Sequence, residues 1–357
     1  MAVSLKIATS SRIHVCRPGW EGPLVDELSR VFPGAAHEVR QKGWVSSRFH
    51  CTDDLIPCVA FADQCLPDPV PVRAGSIADW AGLVSAFLME RLADHQGPWR
   101  LHVFGVEYPG SPVRQRRCDL IQKGVLELLG RKQKRLVRTC VTEHELPFAP
   151  YEILVQAGLE TPGTGFLSLA RPEMIRRLRR CLSRFPGGRV SVPEDPRPPS
   201  RAYQKLVEAE LRLGFKIRQG ETVVDLGASP GGWTFVALDR GAQVTAVDRS
   251  PLRSDLMRRQ GLCFVKGDGF SHRPQAAVDW LLSDIIAFPE RSIDLIDRWV
   301  SNRWCRRFIV SVKFKGTDDY LRLETLKRIL ERSGAEFSLR RLDHGKNEVA
   351  AFGDLSG

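Results

Sequence analysis

The sequence predicts a mixed α/β protein. Its C-terminal part is a Rossmann-like domain with a mostly parallel sheet, and smaller α+β units precede it. Three observations predict this. Beyond residue 200, short apolar runs rich in β-branched residues alternate with stretches of helical period, the pattern of repeated βα units. Before residue 186, strands and helices follow no such alternation, which suits two small α+β units better than a nucleotide-binding sheet. Between them, Pro186-Gly-Gly-Arg-Val-Ser-Val-Pro-Glu-Asp-Pro-Arg-Pro-Pro-Ser200 carries five prolines and two adjacent glycines. That excludes a regular element and reads as a stiff linker.

Composition narrows the class. The chain has 357 residues, enough for two or three domains. Hydrophobic residues make up 43% and charged residues 27%, which excludes a disordered tail, a collagen-like fibre and a membrane bundle. No apolar run approaches the roughly 18 residues of a spanning helix. The start, Met1-Ala-Val-Ser-Leu-Lys-Ile-Ala-Thr-Ser10, lacks the pattern of a signal peptide, so the expected address is the cytoplasm. The 53 Lys and Arg outnumber the 42 Asp and Glu to give +11, which points to a polyanionic partner, with plain solubility charge as the alternative. No two of the nine cysteines have the close spacing of a zinc site, and no metal is expected. Cys51, Cys58 and Cys65 repeat every seventh residue and predict the buried face of a helix.

In chain order, the N-terminal half predicts a strand over 13–16, a helix over 23–32, and strands over 43–50 and 99–107. A helix over 117–129 follows, with Leu120, Ile121, Val125, Leu126 and Leu129 on one face. Residues 151–157 and 164–170 predict a hairpin. Basic clusters lie at 114–117, 131–138 and 176–184, readable either as RNA contacts or as solvated faces. The C-terminal half predicts strands over 222–226, 243–248, 263–266, 278–284 and 308–313. Helices are expected over 233–240, 252–260, 290–302 and 318–332, and 337–342 with 348–352 predict a closing antiparallel pair.

The segment Val224-Asp-Leu-Gly-Ala-Ser-Pro-Gly-Gly-Trp233 runs a strand through a glycine-rich turn into a helix. Gly227 permits the tight turn, and Gly231 and Gly232 let a ligand approach bare backbone. Neither the dinucleotide fingerprint G-x-G-x-x-G nor a Walker loop is present. Asp248, 23 residues after Asp225, ends the second strand, where a carboxylate can accept from both hydroxyls of an adenosine ribose. Asp268 ends the third strand, where the adenine would lie; an N-cap role explains it equally well. Strand-end acids with adenosine, a cation and no pyrophosphate describe S-adenosylmethionine. A lysine such as Lys205, in an apolar helix, is ordinarily a snorkelling surface residue. Asp284, Lys313 and Glu348 end or begin strands on the ligand side, so they can meet at one cleft.

Together, Ser200-Arg-x-x-x-Lys205, the glycine-rich turn, Asp284, Lys313 and Glu348 resemble the FtsJ-type ribose 2′-O-methyltransferases. Cys16-Arg-Pro-Gly-Trp-Glu21, Asp268-Gly-Phe270, Trp299-Val-x-Asn-x-Trp-Cys305 and His344-x-x-x-Glu348-Val349 are similar to the RlmM branch. The resemblance implies a catalytic tetrad of Lys205, Asp284, Lys313 and Glu348. It implies an S-adenosylmethionine site at Ser200, Ser229, Pro230, Gly231, Gly232, Asp248, Asp268 and Asp284. It implies a cytidine ribose in the peptidyl-transferase region of 23S ribosomal RNA as substrate, naked or in an assembly precursor, with no membrane and no protein partner. It also implies a ferredoxin-like domain over 1–75, an RNA-binding THUMP domain over 76–185, a linker over 186–200 and the methyltransferase domain over 201–357. The chain departs from the branch at Ala202, where a small polar residue is usual, at Ser229, where cysteine is common, and in Asp284-Ile-Ile-Ala, which lacks an acidic residue.

The tetrad suits the reaction. A ribose hydroxyl is a poor nucleophile until its proton is removed. Lys313 is the expected general base, and its pKa is expected to be pushed down by Lys205, by desolvation and by the sulfonium. Asp284 and Glu348 would orient the two ammonium groups. A base N-methyltransferase would show Asn/Asp-Pro-Pro-Tyr/Phe after the fourth strand, where this chain has Asp284-Ile-Ile-Ala-Phe288. A cytosine C5-methyltransferase needs a cysteine nucleophile at a strand end, and Pro57-Cys58 lies in the other half. A non-catalytic RNA-binding protein, or a methyltransferase acting on another RNA, is the remaining alternative.

Overall fold

The structure, a computed structural model, describes residues 10–49 and 58–356. The chain divides after Arg189 into two compact units.

The N-terminal unit holds two sheets. The first contains β1 (Ser10–Val15), β2 (Ala36–Gln41), β3 (Trp44–Phe49) and β4 (Gln64–Pro67), antiparallel in the order β2-β3-β1-β4, with α1 (Glu21–Val31) between β1 and β2. The second is built from β5 (Val70–Arg73), β6 (Trp99–Gly105), β7 (Cys140–Val141), β8 (Ile153–Leu159) and β9 (Thr164–Ala170), in the order β5-β9-β8-β6-β7. Strands β8 and β9 pair antiparallel, the expected hairpin. Helices α2 (Ile77–Arg91) and α3 (Gln115–Lys132) cover this sheet with Trp80, Val84, Leu88, Ile121 and Val125, all fully buried. The short helices α4 (Lys134–Thr139) and α5 (Pro172–Leu178) complete the unit.

A second core, with Ile13, Trp44, Leu66, Phe104 and Phe166, joins the two sheets. The Trp44 and Phe104 rings lie parallel, 6.1 Å between centroids. Arg100 and Glu152 form a fully buried ion pair at 2.6 Å in the same unit.

The spacing of the cysteines misleads. Cys65 lies in β4 and Cys58 in an irregular segment, both buried, while Cys51 falls outside the described residues. No helix forms over 58–67, because neighbouring groups satisfy its backbone. Glu27 accepts from the N–H groups of Ala60 and Phe61 at 2.9 and 3.0 Å, and Asp63 N donates to Val15 O at 2.7 Å.

The C-terminal unit is a seven-stranded sheet in the order β12-β11-β10-β13-β14-β16-β15. Its strands are β10 (Thr222–Leu226), β11 (Gln243–Asp248), β12 (Leu262–Lys266), β13 (Val278–Ser283), β14 (Cys305–Lys313), β15 (Glu336–Arg340) and β16 (Glu348–Asp354). The first five are parallel; β16 runs antiparallel to β14 and β15. Helices α6 (Tyr203–Leu213), α7 (Gly232–Asp239), α8 (Pro289–Ser301) and α9 (Arg322–Arg332) pack around it. Helix α7 is buried on nearly every side, which explains its continuous Gly-Trp-Thr-Phe-Val-Ala-Leu run. Helix α6 ends at Gly214, whose φ of 83° lets its N–H return to Glu210 O at 2.9 Å.

One expected helix is shorter than the sequence suggests. The helix over 252–260 is a single 3₁₀ turn, Leu256–Arg258. Only Leu252 and Leu256 are buried there, too few apolar anchors for two helical turns, and Gly261 at φ 85° ends the segment. The proline-rich stretch, expected as a stiff linker, has hydrogen-bond partners from residue 190 onward. Val190 N donates to Asp343 at 3.1 Å, Asp195 N to Tyr203 OH at 2.5 Å, and Tyr203 OH to Pro193 O at 3.0 Å. These bonds tie residues 190–195 onto the C-terminal unit.

The chain leaves β10 for β11 and β12 on one side of the sheet, then crosses to β13 and β14 on the other. The ends of β10 and β13 therefore form the topological switch point, where open α/β sheets bind ligands.

Candidate active site

A cleft of about 1270 Å³ opens at that switch point. The glycine-rich turn after β10 forms one wall. Gly231 has φ 110°, and a Cβ there would stand 2.4 Å from Leu256 Cδ1; a Cβ on Gly232 would stand 2.4 Å from Ser200 Oγ. The positive φ disfavours a side chain at Gly231, and one at Gly232 would have to displace the Ser200 hydroxyl; Gly232 lines the cleft, whereas Gly231, expected to face the cofactor, lies outside its lining. Ser200, Ser229 and Pro230 line it too. The Ser229 hydroxyl donates to Pro251 O at 3.0 Å, so this residue presents its backbone rather than its side chain. Ala202 serves through its carbonyl, which accepts from Trp233 Nε1 at 2.7 Å and so fastens the start of α6 to α7.

Asp225, Asp248 and Asp284 reach the cleft from the ends of β10, β11 and β13. Asp248 closes β11 and accepts from Ser229 N at 2.9 Å and Ser250 N at 2.8 Å, which fixes its plane and leaves lone pairs for further donors. Asp225 is fully buried. Burial pushes its carboxyl up to about 7, against the Thr234 hydroxyl that donates to it at 2.6 Å. The sequence places Asp225 among the strand-end acids but shows neither its complete burial nor its bond to Thr234. Asp268 ends β12 outside the residues that line the cleft. It accepts from Phe270 N at 3.0 Å and Arg249 Nη2 at 2.8 Å, and these bonds hold its carboxyl below the usual range.

Asp284, Lys205, Lys313 and Glu348 meet. Lys313 and Glu348 are direct cross-strand partners of β14 and β16, Asp284 follows the last residue of β13, and α6 lays Lys205 over the group. Lys313 Nζ stands 2.7 Å from both Asp284 Oδ1 and Glu348 Oε2; Lys205 Nζ stands 2.6 Å from Asp284 Oδ2 and 3.0 Å from Glu348 Oε1. Each ammonium thus bonds both carboxylates and each carboxylate bonds both ammoniums, a closed ring of four charges with no net charge. Lys205 is not the snorkelling residue its sequence context suggests: its side chain is 10% exposed, against 18% for Lys313. Lys313 is therefore the more accessible of the two lysines in the ring. Two of its three N–H bonds go to carboxylates, leaving one for a ligand oxygen.

The electrostatics correct one expectation. Burial pushes Lys313 down, but Asp284 and Glu348 outweigh it and hold the ammonium above the ordinary lysine value. Asp284 is pushed up by burial, yet Lys313 and Lys205 prevail and hold it below the carboxylate range. The sequence reading weighed the repulsion between the lysines and understated the two carboxylates standing between them. Among the described residues no group of three or more His, Cys, Asp or Glu could hold a metal ion.

Residues 198–316 match the model of the FtsJ-like methyltransferase family. The chain is similar to proteins named ribosomal RNA large subunit methyltransferase M. It is 34% identical to that of Marinomonas sp. (strain MWYL1) over 47% of this chain and 52% of the relative. It is 35% identical to that of Thauera aminoaromatica over 46% and 48%. With that of Stutzerimonas stutzeri (strain A1501) it shares 28% identity over 94% of this chain and 96% of the relative. Its C-terminal region is thus similar to the FtsJ-like methyltransferases, and the similarity to relatives of this name runs along nearly the whole chain. The first two alignments span about half the length of each relative. The FtsJ-like region contains Asp225, the glycine-rich turn, Asp248, Asp284 and Lys313; Glu348 lies beyond it on β16.

Proposed function

We propose that this protein methylates a ribose 2′-hydroxyl of large-subunit ribosomal RNA with S-adenosylmethionine. The observation that carries this is the closed Lys205–Asp284–Lys313–Glu348 ring at the floor of a cleft whose walls suit an adenosine-bearing cation. The bare glycine backbone clears room for the cofactor, the fixed carboxylate of Asp248 suits its ribose hydroxyls, and Asp225 and Asp284 suit its positive charge. When bound, the cofactor supplies a methyl group on a sulfonium, whose bonding pair leaves with sulfur as a neutral thioether. Every other demand falls on the protein.

Lys313 offers its remaining N–H to the 2′-oxygen and so positions it. RNA closing over the cleft desolvates the ammonium further, and the cofactor's charge acts in the same direction. Lys313 then releases a proton to solvent and takes the hydroxyl proton as oxygen bonds carbon. Lys205 stays charged and keeps Asp284 and Glu348 in place.

The resemblance supplies the finer reading: a cytidine in the peptidyl-transferase region of 23S RNA, naked or in a precursor particle, in the cytoplasm. It also supplies a ferredoxin-like and a THUMP region in the N-terminal unit as the RNA anchor. The test is transfer of labelled methyl to unmodified ribosomal RNA. Lys313→Ala should abolish transfer while cofactor binding by calorimetry survives. Lys313→Arg should fail as well, because a guanidinium keeps its proton at neutral pH. Near-wild-type transfer by either variant removes Lys313 from the base role. No transfer by the wild type, with RNA still bound, would leave a non-catalytic RNA-binding protein.

A further inference from the structure

The cleft has a rim that methyl transfer leaves unused. After Asp284 the chain runs Ile285-Ile286-Ala287-Phe288 without regular structure until α8 begins at Pro289. Ile286 is 90% exposed and Phe288 55%. Scattered exposed apolar residues are ordinary on any surface. Two large ones on a four-residue loop, adjoining a carboxylate of the charged ring, are a local concentration at the mouth of a site. Lys315 adds a cation: its Nζ lies 4.0 Å from the centre of the Phe288 ring. Arg291, in the first turn of α8, stands 3.9 Å over the Phe270 ring. Ile286, Phe288, Lys315 and Arg291 line the same cleft as Lys313.

We propose that Ile286, Phe288 and Lys315 form a stacking platform for an unpaired nucleobase adjoining the ribose that reaches Lys313. This rests on the reading that the cleft acts on RNA. The chemistry selects the occupant. The patch pairs an aromatic face and a branched aliphatic side chain with ammonium and guanidinium groups. Its complement is a unit carrying a flat apolar face and a negative charge within a few ångströms, which is what a nucleotide offers. A protein partner would call for a broader apolar surface with fewer cations around it. Every base has a π-face, so such a platform positions the strand without reading its sequence. It would hold the neighbouring ribose in the orientation that in-line transfer needs.

The test uses the full chain and a short single-stranded RNA carrying 2-aminopurine, whose fluorescence is quenched by stacking. Wild type should bind and quench. Phe288→Ala should weaken binding by about tenfold and lose the quenching. Phe288→Tyr should retain both. Lys315→Ala should keep the quenching while the salt dependence of binding becomes shallower by about one unit of slope. Cofactor affinity by calorimetry should match wild type in all three, which controls for folding. Unchanged affinity and quenching in Phe288→Ala, or no binding by wild type, overturns the platform. The methyltransferase reading fails separately, if wild type binds and quenches the oligonucleotide yet never methylates ribosomal RNA.

Discussion

In the proposed reaction Lys313 is the residue on which the chemistry depends, and its surroundings work against it. An ammonium bonded by two carboxylates gives up its proton less readily than a free lysine does, so only a small neutral fraction is present near pH 7. The sign of the consequence is definite. In the proposed reaction the neutral amine is the active form, and Asp284 and Glu348 hold the folded pKa above the ordinary lysine value. Below that pKa the neutral fraction grows tenfold per pH unit. The logarithm of kcat/KM, which reports the free enzyme, should therefore climb with a slope near one from about pH 6 to pH 9 without levelling. A plateau reached near neutrality would assign the proton transfer to another group. Asp284, Lys313 and Glu348 were legible in the sequence because each lies at or near a strand end, whereas Lys205, on a helix where a lysine ordinarily snorkels, entered only through the resemblance. Their electrostatic balance was not. It depends on which ammonium lies between which carboxylates, and no spacing along the chain reveals that. The carboxyl of Asp225, raised to about 7, was hidden for the same reason: complete burial is a property of the assembled sheet.

At the scale of elements, the parallel strands were readable as unbroken apolar runs and α8 and α9 as amphipathic periods, since both patterns follow from burial on known faces. The failures share a cause. The cysteines at 58 and 65 have helical spacing but lie where Glu27 and β1 claim the backbone, and the helix over 252–260 had periodicity without enough apolar surface to bury. In both places tertiary context, competing partners in one and too little burial in the other, decided the outcome over local pattern. The end of β11 carries a prediction of its own. Asp248 is held by two backbone N–H bonds at 2.9 and 2.8 Å, so it is preorganised before any ligand arrives. Removing hydrogen bonds to a charged group costs about 1.5–3 kcal/mol, so Asp248→Ala should weaken cofactor binding roughly tenfold to a hundredfold by calorimetry. Unchanged affinity would move the ribose contact to another residue.

Across the whole molecule, the excess of basic residues is divided between structural and available groups. Arg117 donates to Pro162 O at 3.0 Å, and Arg135 donates to Leu92 O at 3.0 Å and Ala93 O at 2.8 Å, so these two members of the basic clusters serve the fold. Arg114, Arg116, Arg131, Lys132, Lys134 and Arg138 are exposed and remain candidates for phosphate contact. If they grip phosphates, the full chain should lose RNA affinity steeply with salt, each contact adding up to about −0.9 to the log–log slope. A fragment beginning at Val190 contains every residue that lines the cleft and should bind cofactor like the full chain, with weaker RNA binding and a shallower slope. Equal RNA affinity and slope in the two would make the clusters solvated faces. The central claim, transfer to a ribose oxygen by the Lys205–Asp284–Lys313–Glu348 ring, is tested most directly by mapping the product. Unmodified large-subunit RNA treated with the full chain and S-adenosylmethionine should be digested to nucleosides and located by mass spectrometry. The account predicts one added methyl on the 2′-oxygen of a cytidine in the peptidyl-transferase region, absent with Lys313→Ala. A methyl on a base, or one that persists in that variant, would contradict it.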